Sequence, residues 1–311
     1  MREHFADRLT AAIRSKRTAA VVGLDPLFER LPTELRPQQA TTAAAAGALE
    51  AFGREVIDLV AAYVPAIKIN SAFFEACYEA GVAAYYRLIE HAHLRGLLVI
   101  GDVKRGDIGP TAQLYARGHL AQPEFSDVDA ARVADAVTVS GYPGEGGVRA
   151  FIEAARQTGR GLFVLVRPSD PGADRVHEFG GPRKFYEHMA ALVHEWGAGP
   201  ELIGRCGLSC VGAVVAPKDA AGTRALRDAM PHTVFLVPGY GAQGASAAAC
   251  RPCFKPDGTA AIVSASRSVI YAFEEQRYRE RFGDDWRACV AAACHEFASD
   301  IGRLTALGGT V

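Results

Sequence analysis

The sequence predicts an α/β protein folded as a closed (β/α)8 barrel, the TIM-barrel architecture, with residues 1–311 forming a single domain. Three observations lead there. Eight short apolar runs rich in β-branched residues recur at fairly even intervals. Longer segments of helical periodicity separate them. No linker divides the chain. Strands alternating with helices make a parallel sheet covered by helices. Eight such units suit a closed barrel, with an open doubly wound sheet as the alternative the pattern leaves open.

The elements follow in order. "MREHFADRLTAAIRSKR" reads as an N-terminal helix with Phe5, Leu9, Ala12 and Ile13 on one side, and it lacks the apolar core of a signal peptide. "AAVVGLD" (19–25) is the first strand. The Ala-rich "ATTAAAAGALEAFG" opens a helix that runs into "REVIDLVAAY". "PAIKIN" (65–70) is the second strand. The helical segment after it, "SAFFEACYEAGVAAYYRLIEHAHLRG", sets Phe74, Tyr78, Ala84 and Leu88 near helical spacing. "GLLVIGDVK" (96–104) is the third strand, and Pro110 begins the helix beyond it. "DAVTVS" (135–140), "GLFVLVR" (161–167), "VGAVVAP" (211–217), "TVFLVPG" (233–239) and "TAAIVSAS" (259–266) complete the set. "GGVRAFIEAARQTGRG" and "DAAGTRALRDAM" are helices with glycine near an end. Residues 118–134 and 174–185 are longer and more polar, as insertions on a barrel tend to be. "DDWRACVAAACHEFASDIGRLTAL" is a closing amphipathic helix.

Composition narrows the function. A net charge of −1 argues against nucleic acid or an anionic membrane as the main partner. No apolar stretch approaches a membrane span. The 7 cysteines are expected as reduced thiols in a cytoplasmic protein. "CGLSC" (206–210) and "CRPC" (250–253) could together offer four thiolates to zinc, but they are far apart in sequence and lack a metal-ribbon context. No metal site is therefore expected. His91 and His93, with no acidic partner pattern nearby, are expected to face solvent.

The informative charges lie at strand ends. Side chains alternate across a strand, so Ile100, Asp102 and Lys104 share one face of the third strand, with Val99 and Val103 on the other. In the second strand Lys68 shares a face with Ala66 and Asn70. In the first, Asp25 shares a face with Gly23. If the opposite faces meet the helices, Asp25, Lys68, Asp102 and Lys104 converge inside the C-terminal mouth of the barrel, where sites on this fold are built. Taken alone, the "DVKRGD" pattern could equally be a solvated turn with Asp107 bonding locally. Lys68 in the middle of "AIKIN" is hard to explain as surface decoration. At the other side of the mouth, "PGYGAQG" (238–244) and "SASRS" (264–268) follow strands seven and eight. Glycine-rich backbone and Arg267 suit an anion such as phosphate, though glycines also serve tight turns.

Taken together, "GLDP", "AIKIN", "GDVKRGDIGPT", "RPSDPGA", "VPGYGAQG" and "VSASRSVIY" resemble the orotidine 5′-phosphate decarboxylase family in its longer bacterial form, in order from the first strand to the eighth. "TVSGYPG" departs from the asparagine and "PYLG" more frequent in long-form members. The resemblance implies a cytoplasmic (β/α)8 homodimer that converts orotidine 5′-monophosphate to uridine 5′-monophosphate and carbon dioxide in pyrimidine biosynthesis, without cofactor or metal. It implies that Asp25 and Lys68 bind the ribose hydroxyls, that Asp102 sits by the substrate carboxylate, and that Lys104 donates the proton. Asp107 and Thr111 are implied to reach the partner subunit's site, Ser169 to bond the pyrimidine, and Gln243 and Arg267 to hold the phosphate. The barrel accounts for the whole length, so no orotate phosphoribosyltransferase domain is expected.

That chemistry suits these residue types. Loss of carbon dioxide from C6 of the pyrimidine leaves an electron pair in the ring plane, beyond reach of the π system, so stabilisation must be electrostatic. An ammonium about 4 Å away supplies roughly 1 kcal/mol in water and about 4 at an effective dielectric of 20. The site must therefore exclude water. An alternating Lys68–Asp102–Lys104–Asp107 array is expected to keep every member charged. Two rivals remain: a metal-dependent sugar-phosphate decarboxylase on a related barrel, in which an acidic residue stands at the place of Lys68, and a catalytically silent nucleotide-binding barrel.

Overall fold

The computed structural model describes residues 3–39, 41–241 and 246–305. Its eight strands are β1 (Ala20–Leu24), β2 (Ala66–Asn70), β3 (Leu98–Arg105), β4 (Ala136–Val139), β5 (Gly161–Arg167), β6 (Val211–Val215), β7 (Phe235–Val237) and β8 (Ala261–Ala265). Each pairs in parallel with the next, and β8 returns to β1, closing the barrel. The expected strands are all present, with ends that differ from the expected ones by no more than two residues. The open sheet is thereby ruled out.

Helix α1 (Phe5–Lys16) comes before β1, and α2 (Thr42–Val60) links β1 to β2. The segment after β2 is two helices rather than one: α3 (Ala72–Glu75) and α4 (Tyr78–Leu94). The break falls where Tyr78 adopts φ +53°. Close packing across the break leaves no room at Gly81, where a Cβ would stand 1.8 Å from the Phe74 carbonyl oxygen. Next come α5 (Gly109–His119), α6 (Glu145–Thr158), α7 (Asp174–His177), α8 (Phe185–Trp196), α9 (Ala220–Ala229) and α10 (Ala247–Cys250). Helices α11 (Arg267–Ile270), α12 (Gln276–Phe282) and α13 (Trp286–Gly302) finish the chain.

The amphipathic reading of α1 has a structural consequence. Phe5 and Leu9 are buried, and Phe5 meets Phe163 edge-on at 5.9 Å. A Cβ at Gly161, the first residue of β5, would lie 2.3 Å from the Phe5 ring. Helix α1 therefore seals the N-terminal end of the barrel, and burying a ring that size contributes about 1.5–3 kcal/mol. Helix α13 packs along the outside of the barrel against α2 and β1 and buries Trp286, Val290, Phe297 and Ile301.

The expectation for the two helix histidines is corrected. His91 and His93 do not face solvent. His91 Nε2 lies 2.7 Å from Asp58 Oδ1, and His93 Nε2 lies 2.9 Å from Asp135 Oδ2. Their acidic partners come from α2 and from the start of β4, outside the local pattern on their own helix. Asp135 is fully buried and also accepts from Arg8 and from the Val99 amide, so His93 belongs to a clamp joining α1, α4 and the strand starts. The cysteines are all free thiols. Burial pushes Cys210 and Cys253 up to about 12 and Cys250 up to about 11. Among the described residues, no group of His, Cys, Asp or Glu is placed to hold a metal, and no helix is long and apolar enough to cross a membrane.

Candidate active site

The C-terminal ends of β1, β2 and β3 bring four charged side chains together. The β2–β3 register sets Lys68 opposite Ile100 and Asn70 opposite Asp102, so lysine and carboxylate rise on one face of adjacent strands. Lys68 Nζ donates to Asp102 Oδ2 at 2.8 Å and stands 3.6 Å from Asp25 Oδ1. Lys104 Nζ donates to Asp102 Oδ1 at 2.5 Å. The result is a chain of alternating sign, Asp25–Lys68–Asp102–Lys104.

Burial makes this arrangement costly unless it is complete. Lys68 is 9% exposed and Asp102 is 7% exposed. A pair at the 2.8 Å seen between them attracts by about 6 kcal/mol at an effective dielectric of 20. Desolvation costs several kcal/mol per ion. One partner therefore roughly breaks even, and the second carboxylate decides the protonation state. Burial alone would lower the Lys68 pKa, but Asp102 and Asp25 together raise it well above the ordinary lysine value. Burial alone would raise Asp102, but Lys68 and Lys104 hold it well below the usual carboxylate range. Both groups are charged at neutral pH.

The two lysines are not equivalent. Lys68 is wedged between two carboxylates. The Lys104 side chain is 50% exposed and tied to one. Its backbone is strained, with φ +44°, a region that costs an L-residue roughly 1–2 kcal/mol. Strain of this kind persists where the surroundings enforce it. Here the cause is a register shift: β3 pairs with β4 at Gly101↔Val137 and next at Arg105↔Val139. The extra residues on β3 bulge outward and present Lys104 at the mouth.

Asp25 adds a second chemical feature. Its Oδ1 is buried and, at 3.6 Å from Lys68, too far for a hydrogen bond, so it lacks a donor of its own among the described residues. A ligand hydroxyl would supply one.

Asp107 does not join the array within this chain. Its Oδ1 accepts from the Ile108 amide at 2.7 Å. The chain leaves β3 through Gly106, which packs so tightly on Ser140 that a Cβ would approach that side chain to 2.9 Å. It then runs against α6, where a Cβ at Gly147 would lie 2.3 Å from the Asp107 carbonyl oxygen. That path takes Asp107 away from Lys104, and the fourth member of the cluster within this chain is Asp25, as alternation in the first strand predicts. Thr111, on the first turn of α5, is exposed.

Opposite the array, β7 and β8 end in the expected anion-type loops. Gly239 and Gly241 have φ +94° and +74°, left-handed values that favour glycine. Gly241 also has no room for a Cβ, which would lie 2.8 Å from Ser268 Oγ. Arg267 is exposed and has no carboxylate partner among the described residues. The neighbouring Ser266 and Ser268 hydroxyls are buried without a hydrogen-bond partner. Two unused hydroxyls and a free guanidinium beside a glycine turn suit a phosphate. Gln243 lies outside the described residues.

Ser169 is half-buried on the loop after β5. That loop is tethered by a residue the sequence reading passed over. Arg167, buried at the end of β5, reaches Glu178 at 2.9 Å and Asp219 at 3.0 Å, and stacks over Tyr186 at 4.4 Å. Lys218 pairs with Asp174 nearby. Thr138 was also missed. It lies in "AVTV", and its hydroxyl donates to Asp102 Oδ1 at 2.8 Å. The available signal was a hydroxyl in the middle of a buried strand that neighbours the charged one.

Comparison with known proteins agrees with this geometry. A family model described as "Orotidine 5′-phosphate decarboxylase / HUMPS family" matches residues 39–280. A Rhodopirellula baltica protein named orotidine 5′-phosphate decarboxylase is 37% identical over 295 residues, covering 93% of this chain and 96% of the relative. A Caldicellulosiruptor bescii protein of the same name is 31% identical, covering 87% of this chain and 90% of its own. The solved structure of Leishmania donovani OMP decarboxylase superposes with a TM-score of 0.71 at 27% identity, covering 97% of this chain and 98% of that one.

Proposed function

The chain belongs to the orotidine 5′-phosphate decarboxylase / HUMPS family, and on that premise we propose that it converts orotidine 5′-monophosphate to uridine 5′-monophosphate and carbon dioxide. The observation that carries the proposal is the Asp25–Lys68–Asp102–Lys104 chain at the mouth of the barrel, facing a phosphate-type cradle across it. Arg267, the Gly239–Gly241 turn and Gln243 hold the phosphate. Asp25 takes a ribose hydroxyl on its unpaired oxygen, beside Lys68. Ser169 bonds the pyrimidine.

In the reaction the C6–carboxylate bond breaks. The electron pair stays on C6 in the plane of the ring, and carbon dioxide departs. The Lys104 ammonium stabilises the developing carbanion and transfers a proton from Nζ to C6. The resulting amine regains a proton from solvent. Asp102, with both oxygens on lysines, orients the cations, and its negative charge meets the substrate carboxylate until that carboxylate leaves as neutral carbon dioxide. Phosphate binding far from C6 supplies energy to close the loops and shed water, which raises the value of every charge inside.

The active form is a cytoplasmic homodimer in which Asp107 and Thr111 complete the partner's site. Support comes from the apolar side chains exposed around them: Ile108 is 66% exposed and Tyr142 is 84% exposed. Side chains of that kind, clustered beside polar ones, mark association surfaces. No metal or cofactor takes part. The test is the loss of orotidine 5′-monophosphate absorbance with purified protein and a chelator present. Turnover supports the proposal. Turnover that the chelator abolishes points to the metal-dependent sugar-phosphate branch, and tight binding of uridine monophosphate without turnover points to a silent barrel.

A further inference from the structure

We propose that Thr138 is a positioning residue for the charged array, coupling the strained backbone at Lys104 to the carboxylate of Asp102. The inference rests on the decarboxylase reading for its kinetic consequence, but not for its geometry.

Between Gly101↔Val137 and Arg105↔Val139, residues 102–104 of β3 stand against Thr138 alone. The regular ladder cannot close there, and the Lys104 amide needs an acceptor. Thr138 Oγ1 is that acceptor, at 2.9 Å. The same hydroxyl donates to Asp102 Oδ1 at 2.8 Å. Both directions are fixed by chemistry. An amide N–H can only donate, and an ionised carboxylate can only accept. One hydroxyl, 1% exposed, therefore uses its proton on Asp102 and a lone pair on the Lys104 backbone.

Asp102 Oδ1 also receives Lys104 Nζ. The side-chain ammonium, the carboxylate, the threonine hydroxyl and the lysine's own amide thus form a closed ring. Opening the ring at Thr138 leaves the left-handed turn at Lys104 without its anchor, and Asp102 Oδ1 without its donor from β4. The ammonium then loses its fixed aim at the position of C6. A displacement of about 1 Å at a reacting group can cost on the order of 100-fold in rate.

The test compares Thr138→Val, which keeps the shape and removes both hydrogen bonds, with Thr138→Ser, which keeps both. The valine variant is expected to lose about 10- to 100-fold in kcat with KM for orotidine 5′-monophosphate little changed, because ribose and phosphate contacts are untouched. The serine variant is expected to stay within about threefold of the parent. A readout independent of turnover is lysine labelling by acetic anhydride, mapped by peptide mass spectrometry. Lys104 in the valine variant should label severalfold faster than in the parent and the serine variant, while Lys68 is unchanged. Should the valine variant not fold, Thr138→Cys, with its weak donor and acceptor, takes its place with the same expected losses. Equal Lys104 labelling in all variants overturns the proposal. So does a serine variant as impaired as valine, or a loss confined to KM. If the parent itself does not decarboxylate orotidine 5′-monophosphate, the functional reading falls, while the labelling result still decides the role of Thr138.

Discussion

Replacing Lys104 by alanine isolates the chemical step from binding. The substitution removes the half-exposed ammonium that donates to Asp102 Oδ1 at 2.5 Å. It leaves Asp102 paired with Lys68 at 2.8 Å, so the buried carboxylate keeps a cation and the fold loses little. Alanine meets the same φ +44° backbone as lysine, whereas glycine would relax the turn and confound the result. Two losses then fall on turnover. A cation about 4 Å from the carbanion contributes about 4 kcal/mol at an effective dielectric of 20, which is roughly 1,000-fold. Loss of the proton donor adds about 100- to 10,000-fold. Turnover is therefore expected to fall by about 10⁵-fold or more. Affinity for uridine monophosphate should stay within about tenfold, since the contacts proposed for that ligand are to Arg267 and Asp25. Single-turnover absorbance measures the rate, and titration calorimetry with uridine monophosphate measures binding. An alanine variant that decarboxylates within about 100-fold of the parent refutes the role given to Lys104, because the two losses together are far larger than that at a water-excluded site.

Three further outcomes follow from the same geometry. Arg267→Ala should raise KM about 10- to 100-fold, the worth of a charge-assisted bond to phosphate, and added inorganic phosphate should compete with substrate less well than in the parent; unchanged phosphate inhibition would exclude Arg267 from the cradle. Lys68→Met breaks the centre of the array and should cost about 3 kcal/mol, read as a lower urea midpoint. Asp102 is depressed, so its contribution is present above the ordinary carboxylate value of 3.8 and disappears as pH falls toward its lower folded value. Lys68 is raised, so its contribution is present below the ordinary lysine value of 10.5 and disappears as pH climbs through its higher folded value. The gap between parent and variant should thus be flat from about pH 5 to 9, and a gap that slopes across that range would contradict both assignments. Ile108→Asp places a charge on the exposed apolar surface beside Asp107 and should convert a dimer to monomers in sedimentation, with activity falling in step; an active monomer would show that Asp107 and Thr111 serve no partner.

How much of this was legible in the sequence depends on which neighbours a feature needs. The barrel was legible because each strand announces itself locally, by β-branched residues between glycine and proline. Lys68, Asp102 and Lys104 were placed on common faces by alternation within single strands. What alternation cannot supply is the bulge. It carries the pattern smoothly through Lys104, whereas the register shift against β4 turns Lys104 into the left-handed region and sends the chain at Asp107 toward α6. Asp25 was legible in the same way, on the face it shares with Gly23 at the end of β1, and it stands 3.6 Å from Lys68. His91 and His93 failed because Asp58 and Asp135 come from other elements. Arg167 has Glu178 and Asp219 on two separate loops, and no spacing rule joins them.

The path of the chain at Asp107 bears on how the site works. An array of four charges completed within one strand turn would hold Lys104 from both sides, as Asp25 and Asp102 hold Lys68. The structure instead leaves Lys104 with one carboxylate, half its side chain in solvent, and a strained backbone fixed to a threonine. Such a lysine can exchange Asp102 for a ligand without leaving a charge buried alone, because Lys68 still neutralises the carboxylate. Lys68 has no such freedom: withdrawing it would strand two carboxylates, one of them almost fully buried. The physical difference between the two cations supports the division of work proposed for them, in which the clamped lysine maintains the field and the loosely held one delivers the proton. If a partner subunit brings a further carboxylate to the mouth, it meets the one cation in the array that still has room for it.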